Sequence, residues 1–156
     1  MHISSLLTPE RVVLCRDLSS KKRVLEQLSQ LLAASAPNVT AEEIFDGLIA
    51  RERLGSTGLG QGVAIPHGRM SGLAEPLGAF MRLEAGIDFD ASDSKPVDLV
   101  FGLLVPAEST DEHLQLLAQL AQMFSEASFC AQLREAHDEQ RLYELLQHWE
   151  PDRKLA

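Results

Sequence analysis

Hydrophobic side chains recur at helical spacing in two separate segments of the first third of the chain. Over residues 20–34, leucine and valine lie three and four positions apart, which predicts an amphipathic helix. Ser19 is expected to accept a hydrogen bond from a free amide of its first turn. A second helix is predicted from Thr40, because Thr40 and Glu43 have the spacing of a capping box. Each helix therefore has one face to bury.

The last third of the chain shows the same periodicity. Ser109 and Glu112 have capping-box spacing and predict a helix that runs to about residue 124. Two shorter helices are predicted over residues 128–137 and 138–149. The expected buried stripe of the longer helix consists of Leu114, Leu117, Leu120, Ala121 and Phe124.

Three segments between the helices are predicted as strands. They cover residues 11–14, 77–83 and 97–105. The third is apolar on both faces, which is typical of a central strand covered by helices on each side. Strands separated by helices predict an α/β fold. The pattern does not give the order or the direction of the strands.

Length and charge narrow the class of protein. A chain of 156 residues is expected to form one domain, residues 1–156. Its net charge of −9 argues against nucleic acid and anionic membranes as partners. No apolar run approaches the roughly 20 residues of a membrane span, and residues 1–14 lack the features of a signal peptide. We therefore expect no membrane insertion, a cytoplasmic location, and reduced thiols at Cys15 and Cys130.

Glycine is concentrated in one segment, residues 55–68, which ends on Pro66, His67 and Gly68. Glycine lets a backbone come close to a ligand, and successive amides can form an anion-binding concavity. Pro66 restricts the backbone before His67, so the imidazole is expected on an ordered and accessible loop. The candidate binding residues of this loop are Gly55, Ser56, Thr57, Gly58, Gly60, Gly62, Pro66 and Gly68.

Known nucleotide motifs do not match this segment. A P-loop needs a lysine after its last glycine, and a dinucleotide fingerprint needs a glycine where Ile65 stands. Both motifs also run from strand to loop to helix, whereas here a helix precedes the glycines and a strand, residues 63–65, follows them. ATP or NAD binding through this loop is not expected.

Two histidines and an arginine are the candidates for chemistry. A histidine can act as nucleophile, base or metal ligand, and His113 lies in the first turn of the Ser109 helix. Arg51, Arg53 and Arg69 add positive charge near His67. Plainer interpretations remain open, in which the glycines form only a turn and the histidines are structural. A metal site on His67 and His113 lacks a ligand cluster, and no GxSxG elbow supports a hydrolase.

From Gly55 to Arg69 the sequence resembles the IIA proteins of the phosphoenolpyruvate phosphotransferase system, of the mannitol/fructose type. The resemblance extends over nearly the whole chain, including Arg51-Glu-Arg-Leu, Pro96-Val-Asp-Leu-Val, Leu104-Val-Pro-Ala and His113-Leu. It implies a mixed five-stranded sheet flanked by helices on both faces. It also implies that His67 is phosphorylated through Nε2, that Arg51 and His113 stabilise the phosphate, and that neither metal nor nucleotide is needed.

Within the family the chain looks most like the nitrogen-regulatory branch, because it has no room for a fused IIB or IIC module. The resemblance implies a histidine phosphocarrier protein as donor, with Leu59, Val63, Pro66 and Met70 as apolar contacts. It further implies regulatory targets such as sensor kinases or potassium transport proteins. Two alternatives stay open: a stand-alone fructose or mannitol IIA that passes phosphate to a sugar permease IIB, and a binding module that is not phosphorylated.

Overall fold

A mixed β-sheet forms the centre of the molecule, whose computed structural model describes residues 2–150. In these residues the sheet has six strands. They are β1 (Val12–Cys15), β2 (Gly58–Gly60), β3 (Val63–Ala64), β4 (His67–Met70), β5 (Leu77–Ile87) and β6 (Val97–Pro106). The strand order across the sheet is β1-β5-β6-β3-β2. Strand β4 also pairs with β6, at residues of β6 that come after those paired with β3. Strands β1 and β5 are parallel, β5 and β6 antiparallel, and β3 and β4 both parallel to β6.

Helices cover both faces of this sheet. Five α-helices are described: α1 (Lys21–Ala33), α2 (Ala41–Leu54), α3 (Thr110–Ser125), α4 (Ala127–Glu135) and α5 (Glu139–His148). Two short 3-10 helices, Ile3–Leu6 and Pro9–Arg11, precede β1. No helix in the described part of the chain is long and apolar enough to cross a membrane.

Strand β6 divides the core into two halves. Its side chains alternate, so that Phe101 and Leu103 pack with α3, α4 and α5, whereas Val100 and Leu104 pack with α1 and α2. Nearly every β6 side chain is buried, as expected of a central strand with helices on both faces. The mixed sheet and its two helical layers confirm the predicted fold, although the described sheet has six strands and not the five that the resemblance implied, because the short segment β4 also pairs with β6.

The helix starts are partly as predicted. The capping box of Thr40 and Glu43 is present, with the Thr40 hydroxyl accepting from the Glu43 amide at 3.1 Å. Helix α1 is capped by Ser20 and not by Ser19, because the Ser20 hydroxyl accepts from the Arg23 amide. Ser109 precedes α3 without a side-chain capping bond, so the second predicted capping box is wrong.

The buried stripe of α3 is rotated from the predicted one. Leu120 and Phe124 are buried as expected, but Leu114 is 67% exposed and Ala121 is also on the outside. Leu116 and Met123 take their places in the core. The difference has a local cause: α3 alternates several apolar residues around its first turns, so periodicity alone does not select one face.

Two close contacts join the sheet to helices on its surface. At the middle of β6, a Cβ on Gly102 would lie 2.6–2.8 Å from three side-chain atoms of the buried Leu28, so α1 packs directly on the backbone. At the edge, the Leu14 amide of β1 donates to the Glu139 carboxylate at 2.9 Å. Both contacts link the sheet to a helix on its surface.

Candidate functional site

His67 is the first residue of β4, and its backbone is fixed on the central strand. It lies opposite Leu103 in the parallel pairing of β4 with β6. The Pro66 carbonyl accepts from the Leu103 amide at 2.9 Å. The glycine-rich segment that sequence patterns suggest is a loop therefore ends in a short strand. His67 is held by the sheet and remains partly exposed.

Two hydrogen bonds define the state of the His67 ring. Nδ1 lies 2.7 Å from the Ile65 carbonyl oxygen, to which it donates its proton. Nε2 accepts from the Arg51 Nε at 3.3 Å. Burial lowers the pKa of His67, and the Arg51 charge lowers it further, while the bond to Ile65 acts in the opposite direction. The ring is therefore neutral near pH 7, with its lone pair on Nε2.

Arg51 reaches His67 because α2 and β4 approach closely. A Cβ on Gly47 would lie 3.1 Å from the Met70 Sδ, and one on Gly68 would lie 3.9 Å from the Gly47 backbone. Arg51 follows Gly47 by one helical turn, so it emerges from the same face of α2. Its Nη1 also donates to the Gly55 carbonyl at 2.9 Å, which orients the guanidinium.

His113 comes from the opposite side of the site. It lies in the first turn of α3, where its amide donates to the Ser109 carbonyl at 3.1 Å. Its ring and that of His67 have centroids 5.2 Å apart and planes at 81°. Burial, followed by the charges of His67, Arg69 and Arg51, lowers the pKa of His113. Residue patterns alone do not bring these two rings together, whereas the family resemblance implies that both lie at one site.

One ring nitrogen at this site is left without a partner. Among the described residues, the buried Nε2 of His113 makes no hydrogen bond. An unsatisfied buried polar atom costs about 1–3 kcal/mol. Such a group is stabilised when a ligand atom reaches it, and Arg51 adds a cationic donor nearby. The arrangement suits an anionic ligand placed between the two rings.

The glycine-rich loop makes hydrogen bonds within the protein and does not direct its amides towards a ligand. The amides of Thr57, Gly58 and Gln61 donate to side chains of the protein itself, so they do not form an open anion concavity. Gly60 and Gly62 have φ angles of +93° and +82°, which favour glycine. The Ser56 hydroxyl donates to the Phe89 carbonyl at 2.7 Å. This loop is thus a scaffold for Arg51 and His67.

Exposed leucines flank the site. Leu54 is 84% exposed at the end of α2, three residues after Arg51, and Leu114 is 67% exposed next to His113. Of the four expected apolar contacts, Leu59 is 49% exposed and Met70 is half-buried, whereas Val63 and Pro66 are buried and are not accessible to a partner. Sequence reasoning missed Leu54 and placed Leu114 in the core. An apolar residue at the end of a helix, beside the candidate arginine, was the available signal for Leu54.

Two side chains beneath the loop were not predicted at all. Glu52 is buried, accepts from Thr57, and pairs with Lys21 at 2.8 Å. No signal in the sequence joins these residues, because Lys21 belongs to α1 and Glu52 to α2. In residues 2–150, no group of three or more His, Cys, Asp or Glu side chains is arranged to hold a metal ion.

Comparison with known proteins gives consistent results. Residues 5–149 match the family "Phosphoenolpyruvate-dependent sugar phosphotransferase system, EIIA 2". A nitrogen regulatory protein of Pseudomonas aeruginosa is 47% identical over 146 residues, which cover 94% of this chain and 95% of that protein. The match is therefore nearly full length on both sides.

Solved structures agree. The crystal structure of nitrogen regulatory protein IIA-Ntr from Neisseria meningitidis is 41% identical with a TM-score of 0.86, covering 92% of this chain and 98% of that one. IIA mannitol from Escherichia coli has the same fold, with a TM-score of 0.75 at 23% identity, covering 90% and 98%. By sequence and by fold, the chain belongs to the EIIA type-2 family of the phosphoenolpyruvate-dependent phosphotransferase system, among the nitrogen regulatory proteins of the IIA-Ntr kind.

Proposed function

We propose that the protein accepts a phosphoryl group on Nε2 of His67 and regulates partner proteins by its phosphorylation state. The observation that carries this proposal is the neutral His67 ring, with Nδ1–H bonded to Ile65 and Nε2 facing Arg51. Membership of the EIIA family supports it. The donor is a phosphohistidine on a small phosphocarrier protein of the nitrogen phosphotransferase system.

The transfer is a nucleophilic displacement at phosphorus. The Nε2 lone pair of His67 forms the new P–N bond while the P–N bond of the donor histidine breaks, and its electron pair returns to the donor ring. The Nδ1 proton of His67 stays on Nδ1, and its hydrogen bond to the Ile65 carbonyl stabilises the positive charge that the ring gains. The transition state spreads negative charge over three phosphoryl oxygens, so it needs positioned positive groups and little else.

Arg51 and His113 supply those groups. On transfer, the Arg51 guanidinium moves its hydrogen bond from Nε2 to a phosphoryl oxygen, a charge-assisted bond that is stronger than the one it leaves. The unpartnered Nε2 of His113 donates a hydrogen bond to a phosphoryl oxygen when the ring proton is on Nε2. The loop residues Gly55 to Gly68 hold these groups in place. We propose no metal or cofactor in the reaction.

The names of the relatives support a regulatory role for the proposed transfer. The proteins matched at 41–47% identity are named nitrogen regulatory proteins, which favours a regulatory over a transport function. We propose that the whole chain, residues 1–156, acts as one cytoplasmic IIA domain. Its targets are proteins of nitrogen metabolism and potassium homeostasis, such as sensor kinases or potassium transport proteins. Phosphorylation adds about −1.5 to −2 of charge beside His67, which changes the affinity of such partners.

The test is phosphorylation from phosphoenolpyruvate with enzyme I and the phosphocarrier. We expect one phosphohistidine signal by ³¹P NMR, assigned to Nε2, and its loss in His67→Ala. The matched control is His137→Ala, which removes an exposed histidine from the connection between α4 and α5 and is expected to leave labelling unchanged. Undiminished labelling of His67→Ala sinks the site assignment. No labelling of the wild-type chain favours a binding module, and efficient transfer to a sugar permease IIB favours the transport alternative.

A further inference from the structure

We propose that Glu52 is a positioning residue for the phosphoryl-accepting site. Its buried carboxylate, paired with Lys21, holds Thr57 at one end of the segment 55–57. The other end, Gly55, is bonded to the Glu52 backbone carbonyl, and the segment in turn fixes both the guanidinium of Arg51 and the tautomer of His67. The inference rests on the proposed function of His67. It adds the side chains of Glu52, Lys21 and Thr57, which do not touch the phosphoryl group.

The Glu52 carboxylate is fully engaged. Its side chain is only 4% exposed, and Oε2 lies 2.8 Å from the Lys21 Nζ. Oε2 also accepts from the Thr57 amide at 3.2 Å, and Oε1 accepts from the Thr57 hydroxyl. A buried charge is tolerated only when it is paired and hydrogen-bonded in this way. The carboxylate therefore determines the position of Thr57.

Thr57 connects this carboxylate to the nucleophile. Its carbonyl accepts from the Ile65 amide at 3.1 Å. The Ile65 carbonyl then accepts from Nδ1 of His67 at 2.7 Å. These successive hydrogen bonds belong to different peptide groups. A displacement of Thr57 therefore displaces the Ile65 carbonyl, but no charge passes from Glu52 to His67. In a neutral imidazole, the hydrogen bond made by one ring nitrogen determines which nitrogen carries the proton. The bond to Ile65 places the proton on Nδ1, so the lone pair on Nε2 is available for attack.

The same segment holds Arg51. The Gly55 amide donates to the Glu52 carbonyl at 3.1 Å, and the Gly55 carbonyl accepts from the Arg51 Nη1 at 2.9 Å. Gly55 and Thr57 are thus the two ends of one short segment anchored on Glu52. A shift of this segment displaces the guanidinium and the imidazole together.

Lys21 is itself held by the core. Its Nζ lies 4.9 Å above the ring of Phe89, 3.4 Å from the Phe89 carbonyl and 3.5 Å from the Asp90 carboxylate. Phe89 is fully buried, and its carbonyl also accepts from the Ser56 hydroxyl at 2.7 Å. Helix α1, helix α2 and residues 89–90 therefore meet at one ion pair beneath the site.

The test compares Glu52→Gln with Glu42→Gln, a matched change of an exposed glutamate on the same helix. In the unphosphorylated protein, ¹⁵N NMR of the imidazoles reports the His67 tautomer. We expect Nδ1–H in wild type and Glu42→Gln, and a mixture of tautomers in Glu52→Gln. We expect the rate of phosphoryl transfer to Glu52→Gln to fall between about 10- and 100-fold, the range typical of a misplaced nucleophile.

A second pair of variants guards against a misfolded Glu52→Gln. Thr57→Val removes the hydroxyl bond to Glu52 and is expected to give mixed tautomers, whereas Thr57→Ser keeps the hydroxyl and is expected to restore Nδ1–H. A wild-type tautomer and rate in a folded Glu52→Gln, or in Thr57→Val when Glu52→Gln does not fold, overturns the proposal. Because the tautomer is read without phosphorylation, a failure of His67 as acceptor is distinguished from a failure of Glu52.

Discussion

The two histidines of the site differ in how their hydrogen-bonding capacity is used. His67 has a partner at each ring nitrogen, whereas the buried Nε2 of His113 has none among the described residues. The first ring is therefore oriented before any ligand arrives, and the second gains a bond only with a ligand present. This difference agrees with the nucleophilic role that we propose for His67 and the stabilising role that we propose for His113.

Replacing His113 by Ala is expected to slow phosphorylation of His67 without abolishing it. Loss of one group that stabilises transition-state charge costs about 10²-fold or more. The measurement is a rapid-quench time course with the phosphorylated carrier at saturation. His148→Ala, an exposed histidine near the end of α5, is the control and keeps the wild-type rate. Equal rates for His113→Ala and wild type contradict the proposed role.

The lowered pKa values of His67 and His113 predict a pH dependence of stability. The unfolded chain takes up protons near the ordinary histidine pKa of about 6.5, but the folded chain resists protonation at both rings until lower pH. The free energy of unfolding is therefore fully retained above pH 6.5 and falls as the pH drops from there through the folded-state values.

Urea unfolding at a series of pH values checks this dependence. In His67→Ala and His113→Ala the decline below pH 6.5 is expected to be shallower than in wild type, since one perturbed ring is gone from each. His148→Ala controls for the loss of a histidine as such. Identical slopes in all four proteins count against perturbed titration at the site.

At the scale of elements, the prediction from sequence is strong where periodicity is strong. Helices α1 and α2 and the central strand β6 agree with their expected positions, because each buries a continuous apolar stripe. Strand β4 could not be predicted: its sequence, His-Gly-Arg-Met, has no β pattern, and it is a strand because it pairs with β6. Strand order likewise depends on contacts between segments far apart in the chain.

The residues of the site also differ in whether the sequence predicts them. Sequence singled out His67, Arg51 and His113 because their residue types and surroundings are unusual in an acidic chain. Glu52 and Lys21 are of types that normally lie on the surface, and only the packing of α1 against α2 brings them together. Their interaction is therefore a property of the fold that no local pattern reveals.

The contact of α1 with β6 predicts a destabilising effect of Gly102→Ala. The added methyl group would overlap Leu28, which is fully buried and has no room to move. Overpacking of this kind costs about 1–3 kcal/mol. Urea unfolding provides the value, with Gly68→Ala as control, because a Cβ there makes only ordinary contacts at 3.9 Å. A Gly102→Ala protein as stable as wild type would falsify the close packing.

At the scale of the whole molecule, the net charge of −9 bears on encounters with partners. Arg51 and Arg69 lie near the two histidines as a local positive group in an acidic chain. Under the proposed function, we expect the acidic surface to attract a basic phosphocarrier over long range and these arginines to attract its phosphoryl group at short range. The two effects act at different distances and are screened differently by salt.

The second-order rate constant of phosphorylation is expected to fall as salt rises to about 1 M, where charges beyond about 3 Å are screened. The rate at saturating carrier is expected to change much less, since groups in contact are only weakly screened. Stopped-flow mixing over a salt series measures both. A second-order rate constant that stays level or increases excludes steering by the acidic surface.

The contact between the Leu14 amide and the Glu139 carboxylate has a consequence for the chain in a crowded cell. An open edge strand is a template on which another polypeptide can add a strand, and this is a common route to aggregation. At β1 the outward amide of Leu14 is already occupied, and its partner presents a negative charge to any incoming backbone. Glu139 also lies in the first turn of α5, where an acidic residue is electrostatically favoured. One carboxylate thus lies where a helix favours negative charge and also occupies an outward amide at the β1 edge of the sheet.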